Sequence, residues 1–464
     1  MASQEEIRNV REEKIAVLKK RGILSYPSSV KRSHEIFLIH ENFDVLSHDD
    51  SVISAAGRII ALRGQGAIKF IVLDDGTGHI QAVLKRDIIG EDEMDFFENT
   101  VDIGDFISVS GTLFKTQREE RSILFSSWEM ATKSLLPLPE KWHGLVDPDE
   151  RFRKRYLDLA MSQDKRELFR RRAKFWQTMR SILIREGFLE VETPTLEITT
   201  GGAEAEPFRT HHNDFDMDVF LRISIGELWQ KRLLAGGLHR TFEIGREYRN
   251  EGSSAEHLQE FTNMEFYASF EDYRFGMDFT KQMYREIAKE IYGKTEFTTR
   301  SHTFDLAQEW SEIEYAPHVL EVTGVNVLTA TEQEMKNALA SLNVSYTGDN
   351  RERLTDTLWK YCRKNIAGPA FVIHHPKIVS PLSKTHRENS EITERFQIIL
   401  AGSEVGNGFS ELNDPHEQRE RFMQQQRLLD AGDLEAMMPD WEYVEMLEHG
   451  MPPCLLYTSP SPRD

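Results

Sequence analysis

The sequence predicts an α+β chain in two folded parts, a small closed β-barrel followed by a larger domain built on a mixed sheet. Three observations predict it. Five short segments, 52–62, 68–74, 79–84, 106–114 and 122–130, are rich in β-branched and aromatic residues and read as strands. Pro137, Pro139 and Pro148 then punctuate the chain. From Arg151 onward, strand-like segments alternate with helices, the texture of an α+β domain.

Each element has its own reason. Residues 1–48 open with a charged stretch in which Ile7, Val10, Ile15 and Leu18 recur at helical spacing. Within 49–135, Asp75-Gly76-Thr77-Gly78 supplies a tight turn between two strands. One longer, helix-containing connection over 87–101 makes the five-strand pattern that of an OB-type barrel. A linker is expected over 136–160 and the larger domain over 161–453. That domain begins with a long helix at 163–186 and carries a polar helical insertion near 330–366. No internal repeats are found.

Composition narrows the function classes. Hydrophobic residues make up 39% and charged residues 29%, ordinary values for a soluble globular protein. The longest apolar runs are too short to span a bilayer, so no membrane partner is expected. The acidic residues of the first helix argue against secretory and organellar leaders, which predicts a cytoplasmic protein. Two cysteines, Cys362 and Cys454, exclude a disulfide framework and a Cys-based zinc site. The net charge of −20 disfavours indiscriminate nucleic-acid binding but leaves room for a local basic face.

The chemistry is concentrated in a few segments. In Phe242-Glu-Ile-Gly-Arg-Glu-Tyr-Arg249-Asn-Glu251-Gly252, followed by His257 and Phe261, the parts of an ATP site occur in order. Arg249 supplies a permanently charged fork for phosphate oxygens. His257 is a second donor, Phe261 a flat face for adenine, and Glu251 an acceptor for the adenine amino group. A surface strand of paired Arg and Glu is the bland alternative for any one of them, but not for the ordered set.

A second constellation concerns the partner of ATP. In Met264-Glu265-Phe266-Tyr267, strand alternation puts Glu265 and Tyr267 on one face. The segment Glu404-Val-Gly-Asn407-Gly-Phe-Ser-Glu411 does the same for Asn407 and Glu411, with an irregularity at Gly408. Two carboxylates converging in a closed pocket need a cation. An ammonium group fits, with Tyr267 and Asn407 completing its hydrogen bonds; a metal ion is the alternative.

These segments resemble the lysyl-tRNA synthetases of class II, subclass IIb. The Arg249 segment is similar to the motif 2 of that class, and Gly187-Phe-Leu-Glu-Val-Glu-Thr-Pro194 to its motif 1. The resemblance covers nearly the whole chain from about Val52 to Pro453. It implies an OB-fold anticodon domain before an antiparallel-sheet catalytic domain, and a homodimer joined around Pro194. Its implied substrates are lysine, ATP and tRNA(Lys), with Mg²⁺ as cofactor. Gly202 and Glu227 would join Arg249, Glu265, Tyr267, Asn407 and Glu411 in binding lysine, Glu227 at the α-ammonium. Arg249, Glu251 and His257 would be the catalytic residues, and Glu404 would hold Mg²⁺ between ATP phosphates. In the barrel, Arg63, Phe70 and Gln81 would read the anticodon, although Phe70 alone is as well explained by core packing.

Four departures from the family pattern stand out. Gln397 occupies a position commonly held by a magnesium-binding Glu, leaving it at most a weak ligand. Glu206 and Glu256 replace frequent arginines, a charge reversal near the phosphate site. After Pro453 the Gly-x-Gly-x-Asp-Arg of motif 3 is missing. The residues 454–464 show no periodicity, and read as codons they look like a transposon adapter from DNA library preparation. That stretch is therefore expected to lie outside the fold, leaving a truncated sheet with an unpaired edge, poor folding and weak lysine activation. Two other functions compete with tRNA ligation: a catalytically silent RNA-binding paralogue, and a paralogue that lysylates proteins. Relatives of the latter kind generally lack the barrel.

Overall fold

The structure, a computed structural model, describes residues 3–48, 51–64, 66–139, 145, 147–203, 205–252, 258–432 and 436–460. Two compact units divide the chain, residues 1–170 and 171–464.

The first unit opens with helix α1 (Gln4–Lys20), whose start is fixed by a reciprocal capping box between Ser3 and Glu6. Five strands follow: β1 (Ile53–Arg63), β2 (Ile68–Asp74), β3 (His79–Lys85), β4 (Phe106–Lys115) and β5 (Arg121–Thr132). They close into a barrel in the order β1-β2-β3-β5-β4, the expected OB-type arrangement. Alternation drives the closure: Ile53, Ala55 and Ile59 of β1 face inward and are buried, and a bulge between Ile59 and Ala61 then reverses the alternation. Helix α2 (Glu91–Thr100) fills the longer connection, sealing the barrel with Met94 and Phe97. Lys133 is fully buried there, its ammonium held by Asp102 at 2.5 Å, Asp105 at 2.7 Å and the Thr100 carbonyl at 2.7 Å. A buried lysine so completely partnered fixes where the chain leaves the barrel.

Helix α3 (Gln163–Arg185) coincides with the expected long helix. The second unit is organised by eight strands: β6 (Leu189–Glu190), β7 (Arg240–Tyr248), β8 (Glu260–Ser269), β9 (Ser311–Glu314), β10 (Ala370–Ile373), β11 (Arg395–Leu400), β12 (Ser403–Ser410) and β13 (Cys454–Pro460). Their order is β9-β10-β11-β12-β13-β8-β7-β6. The end pairs, β9 with β10 and β6 with β7, are parallel, and all pairings between them are antiparallel. Alternation gives the sheet two unlike faces. Phe242, Met264, Phe266, Phe396, Ile398, Leu455 and Tyr457 form a core on one of them, joined by Met277, Met283 and Ile287 of helix α5 (Tyr273–Tyr292). Helix α4 (Glu227–Ala235) comes just before β7, and the other face carries polar residues. Helices at Glu332–Ser341 and Arg351–Cys362 build a separate cluster around Leu339, Leu354 and Leu358.

One expectation is overturned here. Residues 454–460 do not lie outside the fold, and they leave no unpaired edge. They form β13, seated between β12 and β8 in the middle of the sheet. Cys454, Leu455, Leu456 and Tyr457 are all buried. The physical reason is that a central strand is covered on both faces, so an apolar run such as Cys-Leu-Leu-Tyr suits it without any two-residue period. The ladder itself is made by main-chain groups and needs no particular side chains.

Candidate active site

The polar face of the sheet gathers the candidate residues through register. Gln397 of β11 pairs with Asn407 of β12, Asn407 with Thr458 of β13, Thr458 with Glu265 of β8, and Glu265 with Glu243 of β7. Residues paired in this way point to the same side, so one row of polar side chains crosses five strands. Two residues further along β8, Tyr267 shares that face and donates its hydroxyl to Glu265 Oε2 at 2.7 Å. The backbone N–H of Ile225 donates to the other oxygen at 3.1 Å.

Glu411 lies just beyond β12, its N–H bonded to the Cys454 carbonyl at 2.8 Å. It is 1% exposed, yet neither carboxylate oxygen accepts a hydrogen bond of proper geometry among the described residues. What it does have is an ion contact, Lys231 Nζ at 2.8 Å. The same ammonium reaches Glu227 Oε1 at 2.7 Å, one helical turn back on α4. Burial is the main force on all three acids and pushes each upward, Glu265 and Glu411 to about 8. Glu227 adds repulsion at both of the others. Burial pushes the Tyr267 phenol well upward, and Glu265, Glu227 and Glu411 all add to that rise.

Gly202 adopts φ +90°, and a Cβ on it would lie 2.5 Å from the Glu227 Cβ and 2.9 Å from its Oε2. Only glycine permits both the conformation and the approach, so the backbone at Gly202 forms a wall against Glu227.

Arg249 follows β7. Its guanidinium contacts Glu247 at 3.2 Å and the Ile223 carbonyl at 3.3 Å, and lies over the Phe261 ring, 5.4 Å from the centroid. A cation over a buried aromatic ring is attracted to its face, which helps fix the guanidinium. Glu251 is half-buried, and its carbonyl accepts from Gln259 at 2.8 Å. His257 and Glu256 lie outside the described residues, whereas Glu206 is half-buried and its carbonyl accepts from Asn250 at 2.8 Å. Asn407 is in the row, but its Oδ1 already accepts from Arg395 at 2.8 Å. Gln397 is buried with its amide oxygen taking the Trp359 indole N–H at 2.9 Å. Glu404 has an exposed side chain, but desolvation at its site pushes it upward, with Asp356 adding to the rise and Arg395, Arg363 and Lys360 opposing it. Among the described residues, no group of three or more His, Cys, Asp or Glu is arranged to hold a metal ion.

In the barrel, Arg63 pairs with Phe70, Phe70 with Val83 and Val72 with Gln81, which puts all three candidates on the outer face of adjacent strands. Phe70 is 36% exposed, so it is not a core residue. The Gln81 amide donates to Ser122 Oγ at 2.8 Å.

The model of the class II tRNA synthetases (D, K and N) matches residues 147–455, and that of the OB-fold nucleic acid binding domain matches residues 53–131. A lysine–tRNA ligase of Carboxydothermus hydrogenoformans is 41% identical over 97% of this chain and 92% of its own length. Those of Thermotoga maritima and Thermosipho africanus are 39% and 38% identical, over 97% of this chain and 90% of theirs. The chain belongs to the lysine–tRNA ligases of class II. As a member of that family it is an aminoacyl-tRNA ligase with ATP as substrate, and the similarity runs through the barrel as well as the catalytic sheet. No helix among the described residues is long and apolar enough to cross a membrane.

Sequence reasoning missed four charged members of this ligase site: Lys231, Arg222 with its partner Glu243 at 2.6 Å, and Arg395. The first was within reach, since Glu227 and Lys231 stand four apart in a helical stretch. The others depend on long-range register and left no local mark.

Proposed function

We propose that this chain activates lysine with ATP and transfers it to tRNA(Lys) in the cytoplasm, where those three substrates meet. One observation carries the choice of amino acid: Glu265, Glu411 and Glu227 are buried together on the polar face of the sheet. A neutral side chain entering that space would leave ionised carboxylates without a partner, whereas an ammonium removes the conflict. Tyr267 and the wall at Gly202 complete the pocket.

The first step needs no general base. The lysine carboxylate is already ionised and attacks the α-phosphorus in line, expelling pyrophosphate, while Arg249 balances the charge of the carboxylate and the phosphate. Phe261 and Glu251 hold adenine, and His257 contributes at the terminal phosphate. The adenylate carbonyl is then attacked by a hydroxyl of the terminal tRNA adenosine, and AMP leaves. Glu404 fits a single carboxylate ligand for Mg²⁺, which would offset phosphate charge; Gln397, committed to Trp359, is the poorer ligand. Arg63, Phe70 and Gln81 form a stacking and hydrogen-bonding face for anticodon bases. Leu189, Leu196 and Ile198, all at least 50% exposed beside Pro194, support a dimer contact in that region.

Lysine-dependent ATP–pyrophosphate exchange followed by aminoacylation of tRNA(Lys) tests this reading. Exchange driven by lysine supports it; exchange driven by another amino acid in preference to lysine overturns it.

A further inference from the structure

Lys231 is the feature that the proposed reaction does not use. It is fully buried, yet its ammonium contacts two of the three acids of the pocket, Glu227 at 2.7 Å and Glu411 at 2.8 Å. The rings of Phe409 and Tyr443 lie 5.7 Å from it, closing its apolar sides. The neighbouring cations have other partners: Arg249 is with Glu247, Arg222 with Glu243, and Arg395 with Asn407 and the Val379 carbonyl. Among the described residues, Lys231 is therefore the cation in ion contact with two of the three acids, while Arg395 and Arg249 act on Glu227 only through their field.

We propose that Lys231 is a resident counter-ion that sets the charge of the amino-acid pocket, so that three carboxylates present the equivalent of two vacancies for ammonium. A diamino acid carries two such groups, and its carboxylate is met by Arg249. This rests on the reading of the pocket as the lysine site. Lys231 is a positioning residue, acting on the substrate through Glu227 and Glu411. Without it, three carboxylates would crowd one buried space, and a buried acid that cannot be paired takes up a proton instead of staying charged. Glu411, already pushed upward by burial with Lys231 beside it, would be pushed further once that ion contact is lost, and a neutral Glu411 holds an ammonium poorly. The alternative is that Lys231 merely occupies the substrate's place, in which case removing it would tighten binding.

The two ideas give opposite signs in lysine-dependent pyrophosphate exchange by the full chain. Lys231→Met is expected to raise the KM for lysine by at least about tenfold, with kcat and the KM for ATP changed less than about threefold. Lys231→Arg, which keeps the cation, is expected to hold the KM for lysine within about threefold of wild type. An unchanged or lowered KM in folded Lys231→Met overturns the proposal. Should Lys231→Met fail to fold, Lys231→Arg decides: a KM near wild type supports the proposal, and a rise beyond about tenfold overturns it. Wild-type protein that uses another amino acid and not lysine would overturn the pocket reading itself, an outcome distinct from a silent Lys231.

Discussion

The Tyr267 hydroxyl donates to Glu265 at 2.7 Å, and both side chains are buried on the same strand face. The bond orients the carboxylate with one oxygen satisfied by the phenol and the other by the Ile225 N–H. Removing the phenol leaves a buried acid oxygen unpartnered. Tyr267→Phe is expected to cost about 1–3 kcal/mol of stability and to raise the KM for lysine about tenfold. Urea unfolding and pyrophosphate exchange measure the two effects.

Among the described residues, Glu411 has no hydrogen-bond donor of good geometry, only the Lys231 ammonium. Glu411→Gln removes a charge without changing shape, so the fold should survive. The expected loss in kcat/KM for lysine is about 100-fold, with the KM for ATP unaltered. Steady-state exchange kinetics in lysine and in ATP separate those effects.

Protonation gives a third prediction. Burial raises Glu265 and Glu411 from the ordinary 4.5 to about 8. Between those values the folded free protein binds more protons than the unfolded chain, so its stability falls as pH rises through that window. Lysine, arriving as a cation, favours the ionised acids. Its affinity should therefore rise from pH 6 to pH 8, as should the increase in Tm that it gives. Thermal melts with and without lysine at the two pH values test the sign.

The central strand supplies a fourth. Tyr457 of β13 is fully buried, its ring 5.3 Å from Phe266 and stacked 6.1 Å from Phe396, with its hydroxyl 3.1 Å from that of Tyr284. Tyr457→Ala should destabilise the chain by about 3–5 kcal/mol, as large-to-small changes of aromatic core residues do. Chemical denaturation reads this directly, and a loss below about 1 kcal/mol would mean that β13 does not support the sheet.

In the barrel, Phe70→Ala is expected to weaken tRNA binding by about 1–3 kcal/mol through the loss of one stacking platform. Lysine-dependent exchange, which needs no tRNA, should be unchanged. Filter binding and exchange on the same preparation check both halves.

Much of this was legible because the signals were local. Strand alternation located β2 (Ile68–Asp74) to the residue and the other barrel strands to within two residues. Alternation also puts Glu265 beside Tyr267, since a strand turns every second side chain to one face. β13 was not legible, because burial on both faces erases the period on which such reading relies. The pairing of Asn407 with Arg395 and of Gln397 with Trp359 was hidden for another reason. Both bonds join residues 12 and 38 apart in sequence, brought together by sheet register and by the packing of a helix. Lys231 lay between these cases: its link to Glu227 was visible as spacing, its link to Glu411 was not.

The most direct measurement is pyrophosphate exchange by wild-type protein, with each amino acid supplied singly. Rapid exchange with lysine, and only background with aspartate, asparagine and the uncharged amino acids, is the predicted result. Comparable rates with aspartate or asparagine would contradict it, because a pocket lined by Glu227, Glu265 and Glu411 has no place for a side chain lacking an ammonium group.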